Sequence, residues 1–203
     1  MKILHTSDWH LGHTLYNYDR SQEQEDFLRQ LAEIVRHEKP DVMTVSGDIY
    51  HYSTPSAATQ KMYTEGLLNI HKACPEMAIV VTAGNHDSSS KLEIDSSLWQ
   101  HFGVTVIGNI ERDCENVNLA RHIIAIENGK GEKKGYVIAV PHIYPQNFPV
   151  LDAGTPREER QPRFFQALLD ETEKQNTERL PVVLMAHLSI TGSDRSGHDE
   201  SIG

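Results

Sequence analysis

Lys2-Ile3-Leu4-His5-Thr6-Ser7-Asp8-Trp9-His10-Leu11-Gly12 opens the chain, and its reading decides the fold. A short run leads up to Asp8 and His10, and two later stretches repeat the design. Val42-Met43-Thr44-Val45-Ser46 leads into Gly47-Asp48. Met77-Ala78-Ile79-Val80-Val81-Thr82-Ala83 leads into Gly84-Asn85-His86-Asp87. Short β-rich runs ended by Gly and polar residues read as buried strands of an α/β sheet. In such sheets ligands gather outside the carboxyl ends of the strands. Parallel neighbours would therefore bring Asp8, His10, Asp48, Asn85 and His86 toward one crevice.

Carboxylate, imidazole and amide oxygen suit Mn²⁺, Fe or Zn²⁺ better than thiol-loving ions. Asp8 and His10 are two apart, so on an extended backbone they point the same way. Gly47 and Gly84 permit tight turns just before Asp48 and Asn85. Singly, each motif is weak: Asp-x-His arises by chance, and a lone Gly-Asp is usually a turn. All three in order, each after a strand, are hard to explain as turns.

Asp8-x-His10, Gly47-Asp48 and Gly84-Asn85-His86-Asp87 resemble the first three motifs of the calcineurin-like metallophosphoesterases. The fuller match is to their SbcD and Mre-type DNA repair nucleases. Ile3 to Gly12 is similar to that branch's opening almost residue for residue. Gly47-Asp48-Ile49-Tyr50-His51, followed by Pro55-Ser56, resembles its second motif. The Asp-Arg-Gly of protein phosphatases is absent after Gly47-Asp48. The resemblance covers essentially the whole chain, but only the first part of a full-length family member.

The resemblance implies an α/β metallophosphoesterase-type sandwich, with central β-sheets flanked by helices, as one nuclease domain over residues 1–203. It implies two divalent metal ions, Mn²⁺ foremost. Asp8 and His10 would hold the first, Asn85 and His187 the second, and Asp48 would bridge them. His86 would stabilise the reacting phosphate or protonate the leaving oxygen, with His51 as a second non-ligand histidine beside it. Asp87 is a carboxylate that would orient His86. The activity implied is exonuclease and endonuclease cleavage of DNA in break or hairpin processing, repair and recombination, with an SMC-like ATPase of the SbcC type. It further implies a homodimer through helices 55–73 and 92–101. A general phosphoesterase acting on small diesters or phosphoproteins would share every ligand. A non-catalytic scaffold is the reading from a different class.

A chain of 203 residues suits one well-buried domain. The net charge of −10 weakens a nucleic-acid reading. Metal ions offset it locally, since they are often the largest charges in a site. No apolar stretch approaches the roughly 20 residues that span a bilayer. The chain opens on a strand rather than a signal segment. Cys74 and Cys114 lack CxxC spacing and read as reduced thiols, so the expected compartment is cytoplasmic. Among the twelve histidines, His37, His71, His101 and His122 read as surface or supporting residues.

Residues 13–20 read as a loop, with Tyr16 or Tyr18 packed down rather than reserved for substrate. Residues 20–38 read as a helix whose apolar face is Phe27, Leu28, Leu31, Ile34 and Val35. Ser21 and Gln24 offer a capping box, and Pro40 stops the helix. A strand follows at 41–46, then a helix at 55–73 with Pro55 in its first turn, and a strand at 77–83. Residues 91–101 read as one short helix ended by Gly103, followed by a strand at 104–107. Residues 122–127 and 135–140 form a hairpin. Residues 144–156 are loop, 158–176 helix and 181–186 a buried strand ending at His187.

His187 repeats the opening pattern, a ligand-type residue at a strand end, and by position matches the family's fourth motif. His142 also follows a strand, matches no ligand motif and reads as structural. The family's last motif, Gly-His-x-His, has no counterpart. Gly197-His198-Asp199-Glu200 is the nearest text, so His198 is not assigned. Residues 189–203 read as a mobile loop. The expectation is a folding fragment that binds Mn²⁺ weakly and has slight or no nuclease activity, with the family's C-terminal capping and partner-binding part missing.

Overall fold

The computed structural model describes residues 1–113 and 116–188. Strand β1 (Ile3–Thr6) starts the first sheet. A small hairpin follows, β2 (Thr14–Leu15) and β3 (Tyr18–Asp19), turned by Tyr16 and Asn17 at φ of 48° and 66°. Two adjacent left-handed residues match the twist of a two-residue hairpin. Tyr16 is 97% exposed and Tyr18 62% exposed, so neither packs down as the sequence suggested.

Helix α1 (Ser21–Glu38) buries Leu28, Leu31, Ala32 and Val35. Phe27 and Ile34, assigned by spacing to that face, lie at its exposed margin. Its N-cap is Arg20, without a side-chain bond. The capping box is not made. Instead Asp19 Oδ1 accepts the Ser21 N–H, and Gln24 turns inward. At the other end Lys39 is left-handed and its N–H bonds to the carbonyl of Val35, and then Pro40 blocks further helix.

Strand β4 (Val42–Ser46) is buried throughout. Helix α2 (Ala57–Ala73) follows; its Ser56 cap accepts the Thr59 N–H, which leaves Pro55 outside the helix rather than in its first turn. Strand β5 (Ala78–Thr82) comes next. The single helix expected over 91–101 is two short ones, α3 (Ser89–Leu92) and α4 (Ser96–Gln100). Strand β6 (Val104–Ile107) completes a four-stranded parallel sheet in the order β1-β4-β5-β6.

Strands β7 (Arg112–Asp113) and β8 (Asn116–Val117) form a minor hairpin absent from the sequence reading. The second sheet is built from β9 (Ile123–Glu127), β10 (Lys133–Val140) and, after helix α5 (Arg157–Gln175), β11 (Val182–Ala186). β10 lies in the middle, antiparallel to β9 and parallel to β11.

Side chains alternate across a strand, and this sorts the core into layers. Met43, Val45, Ile79 and Val81 face α1 and α2. Val42 and Val80 face the other way and meet Ile126, Val137, Ala139 and Met185 of the second sheet. Ile138 and Val140 face Phe164 and Leu168 of α5. The result is a helix–sheet–sheet–helix sandwich. No described helix is long and apolar enough to cross a membrane. Cys74 is a free thiol.

Candidate metal centre

The sheet places the carboxyl ends of β1, β4 and β5 side by side, because all three strands run parallel. Each chain then leaves its strand abruptly. Asp8, His10 and Asp48 have φ of 54°, 43° and 52°. Such values in non-glycine residues cost of order 1–3 kcal/mol each and persist only where surrounding structure enforces them. Here the two loops enforce each other. Asp8 N–H donates to the Gly47 carbonyl, His10 N–H to Asp48, and Leu11 N–H to Ile49. His51 N–H returns a bond to the Leu11 carbonyl.

Asp48 is central, with its side chain 4% exposed. Its Oδ1 accepts the His86 N–H at 3.0 Å. Its Oδ2 lies 3.6 Å from His10 Nε2 and 3.6 Å from His187 Nε2. Asp8 Oδ1 is 3.9 Å from His10 Nε2. Ligand atoms of Asp8, Asp48 and His187 all lie within 4.8 Å of one another, and those of His10, His51 and His86 do the same. The strand-end residues therefore meet in space, including His187 from the second sheet.

His187 is aimed from both sides. Its Nδ1 donates to the Ser46 carbonyl at 2.9 Å. That leaves Nε2 without a proton in the neutral ring. Nε2 faces Asn85 Oδ1 at 3.0 Å as well as Asp48 Oδ2. Three lone-pair-bearing atoms converge there; a cation, a proton or an amide flip resolves the conflict. Oxygen and imidazole donors in that arrangement suit a divalent ion. Gly47 lets the imidazole approach, since a Cβ there would stand 2.6 Å from His187 Nδ1.

The remaining histidines form a stack. His86 Nδ1 donates to the His51 carbonyl at 3.0 Å, and the His51 and His86 rings stack at 5.4 Å. His10 meets His86 edge-on at 4.9 Å, and His13 lies 4.4 Å from His51. Burial, and then the neighbouring His13, His10 and His86, push the His51 pKa below its ordinary value. A cleft of about 670 Å³ opens over Asp8, His10, His13, His51 and His86.

Asp87 does not orient His86, as the sequence reading had suggested. Its carboxylate accepts three backbone N–H groups, from Ile49 at 3.1 Å, Tyr50 at 2.9 Å and Gly84 at 2.8 Å. Burial raises its pKa while these donors oppose the rise. It ties the loop after β4 to the loop after β5.

Two further contributors were not legible as such. His142 donates from Nδ1 to the His187 carbonyl at 3.1 Å and lines a second cleft of about 300 Å³ with His5, Asp8, Asn85 and His187. Its bond to a backbone carbonyl agrees with the structural role read from the sequence, and it places that role beside His187. Gln24 holds the loop that carries His10. His198 and the loop expected at 189–203 lie outside the described residues.

A model of the calcineurin-like phosphoesterases matches residues 1–202. The SbcD component of the SbcCD nuclease of Rhodobacter capsulatus is 34% identical over 205 residues, covering 98% of this chain and 51% of that protein. The SbcD component from Escherichia coli K12 is 27% identical, covering 97% of this chain and 48% of that protein. That of Bacillus subtilis is 39% identical over 108 residues, or 53% of this chain and 27% of that protein. The chain thus spans about half the length of the first two relatives.

Proposed function

The chain belongs to the calcineurin-like phosphoesterase family, and from that premise we propose that it is the nuclease part of a DNA-repair protein of the SbcD type. The observation that carries the reading is the meeting of Asp8, His10, Asp48, Asn85 and His187 around one buried carboxylate oxygen. In this reading Asp8 and His10 would hold one divalent ion and Asn85 and His187 another, with the Asp48 carboxylate available to both. Mn²⁺ is the proposed metal.

Bound divalent ions supply an activated water and neutralise charge on the phosphoryl oxygens. The chain's own residues do the rest. Ser46 aims His187, whose Nε2 meets Asn85. His86 commits its Nδ1 proton to the His51 carbonyl, so Nε2 is the nitrogen free to carry a proton to or from the substrate. His51 backs this ring, and its lowered pKa keeps it neutral near pH 7. The proton delivered from His86 would go to the leaving 3′-oxygen of a cleaved DNA strand.

The partners proposed are DNA, an SbcC-type ATPase and a second copy of the chain. Ile94 is 77% exposed and Leu98 57% exposed next to Trp99, whose ring meets Tyr63 of α2, an apolar margin that a second copy would cover. Such a substrate and partner put the protein in the cytoplasm, acting in DNA repair and recombination.

The test is cleavage of linear duplex DNA with added Mn²⁺, beside a small chromogenic diester and an Asp48→Ala control. Slow Mn²⁺-dependent loss of duplex at high metal concentration that disappears in the control is the expected result. Hydrolysis of the small diester with duplex DNA untouched would replace this reading by the general phosphoesterase. Sedimentation of the protein and of Leu98→Glu checks the pairing; an unchanged sedimentation coefficient would overturn it.

A further inference from the structure

Gln24 is the one polar side chain of α1 that is buried, at 8% exposure. An uncharged amide on the core side of a surface helix requires partners, and it finds them on the loop after β1. Its Nε2 donates to the His10 carbonyl at 3.0 Å, and its Oε1 accepts the Gly12 N–H at 3.0 Å. One planar group thus fastens two points two residues apart. Both points lie in left-handed backbone, with φ of 43° at His10 and 87° at Gly12.

Outside its own turn, the loop's other backbone hydrogen bonds run to its other side, while the buried Trp9 ring packs against Phe27 of α1 and Tyr63 of α2. Leu11 and Tyr50 form a bridge, and His10 N–H reaches the Asp48 carbonyl. Those bonds fix the loop against the loop after β4; on the α1 side Trp9 is held by packing, and the His10 and Gly12 peptides are hydrogen-bonded to that helix through Gln24 alone. The His13 N–H, which also reaches the His10 carbonyl, belongs to the same turn and turns with it. Gln24 therefore supplies the hydrogen bonds that tie these two peptides to α1. The ring it steadies is His10, whose Nε2 stands 3.6 Å from Asp48 Oδ2 and 3.9 Å from Asp8 Oδ1. His187 and Asn85 are held by Ser46 and by the loop after β5, neither of which Gln24 touches.

We infer that Gln24 is a positioning residue for His10, and that it sets the affinity of the metal position served by Asp8 and His10 without setting that of Asn85 and His187. The inference rests on the two-ion reading above. Removing an outer group that orients a ligand typically weakens metal binding by about 10–100-fold, and that effect should fall on one position only.

The experiment uses Zn²⁺, which is diamagnetic, as the probe, and follows the ring nitrogens of His10 and His187 by NMR in the 203-residue protein. Gln24→Met keeps the length of the side chain and removes both bonds. Gln24→Glu keeps the acceptor for Gly12 and turns an oxygen toward the His10 carbonyl. In metal-free Gln24→Met, the Gly12 amide proton should exchange faster with solvent. On titration, the midpoint of the His10 shift should rise about 10–100-fold, with the Glu variant between Met and wild type. The His187 midpoint should move by less than about 3-fold, well below that range. Equal midpoints for His10 in wild type and variants, or a parallel rise at both rings, would overturn the inference. If Gln24→Met does not fold, the Glu variant alone applies the same criteria. Wild-type protein in which neither ring responds to Zn²⁺ would sink the two-ion reading itself, which is a separate result.

Discussion

The backbone N–H of His86 donates to Oδ1 of Asp48 at 3.0 Å, and this bond decides which oxygen of the carboxylate is free. Oδ2 is left equidistant, at 3.6 Å, from His10 and His187. The residue that supplies the bond through its backbone is the one whose ring is the proposed proton carrier. The two roles separate cleanly by substitution, since a side-chain change at His86 keeps its N–H.

Asp48→Ala should therefore abolish Mn²⁺ binding and duplex cleavage together. His86→Ala should keep metal binding within a few-fold and lose about 10²–10⁴-fold in rate, the usual scale of general acid–base catalysis. Calorimetry with Mn²⁺ and a cleavage assay on both variants check this. Wild-type turnover in His86→Ala would remove that residue from the chemistry.

Asp87→Asn should loosen the site without touching a donor. An amide offers one acceptor oxygen where three N–H groups now bond, from Ile49, Tyr50 and Gly84. Each buried donor left unpaired costs about 1–3 kcal/mol. Urea unfolding should show a lower midpoint, and calorimetry a weaker Mn²⁺ isotherm. An unchanged midpoint would mean that the three bonds contribute little.

Gly84→Ala tests the close approach of the loops after β4 and β5. A Cβ there would sit 2.0 Å from Oδ1 of Asp48 and 2.2 Å from its backbone nitrogen. Backbone cannot yield by that much without separating the loops, so the loss should be about 3 kcal/mol or more, the upper end for overpacking. Thermal melting of the purified variant measures it, and near-wild-type melting would contradict the geometry.

His122 gives a pH dependence away from the site. It is fully buried, and its Nδ1 donates to the Ala139 carbonyl at 2.8 Å. Burial lowers its pKa in the folded protein from an ordinary value of 6.5, although that hydrogen bond opposes the shift. Below about pH 6.5 the unfolded chain therefore binds more protons than the folded one, and stability must fall with pH. The contribution is complete above that pH and is lost as pH drops toward the folded pKa. His122→Gln should flatten this loss between about pH 7 and pH 5 while costing about 1–3 kcal/mol at neutral pH. Denaturant midpoints across that range decide it; parallel pH profiles would refute the assignment.

The parallel sheet and its strand-end residues were readable because strands β1, β4 and β5 each stop on a Gly or polar break. His187 was readable for the same reason, although its sheet is a different one. Gln24 was misread because a capping box and a tertiary clamp use the same residue types three positions apart; only the fold says which way the side chain turns. Asp87 was misread because its sequence neighbour suggested His86, whereas two of its three N–H partners belong to a loop 38 and 37 residues away and the third to Gly84. The break within 91–101 and the hairpin at Tyr16 escaped because short turns are set by local backbone geometry rather than by an apolar period. Phe27 and Ile34 fell on the margin of α1, where spacing cannot tell covered from uncovered.

The contact between His187 and Asn85 joins residues 102 positions apart. On a ribosome adding about 5–20 residues per second, the donors of the first sheet emerge roughly 5–20 seconds before the last imidazole. During that interval β1, β4 and β5 can pair, while the position shared by Asn85 and His187 stays half built. The assembly of the centre is thus timed by translation, and the proposed position of Asn85 and His187 is completed only when β11 has joined the second sheet.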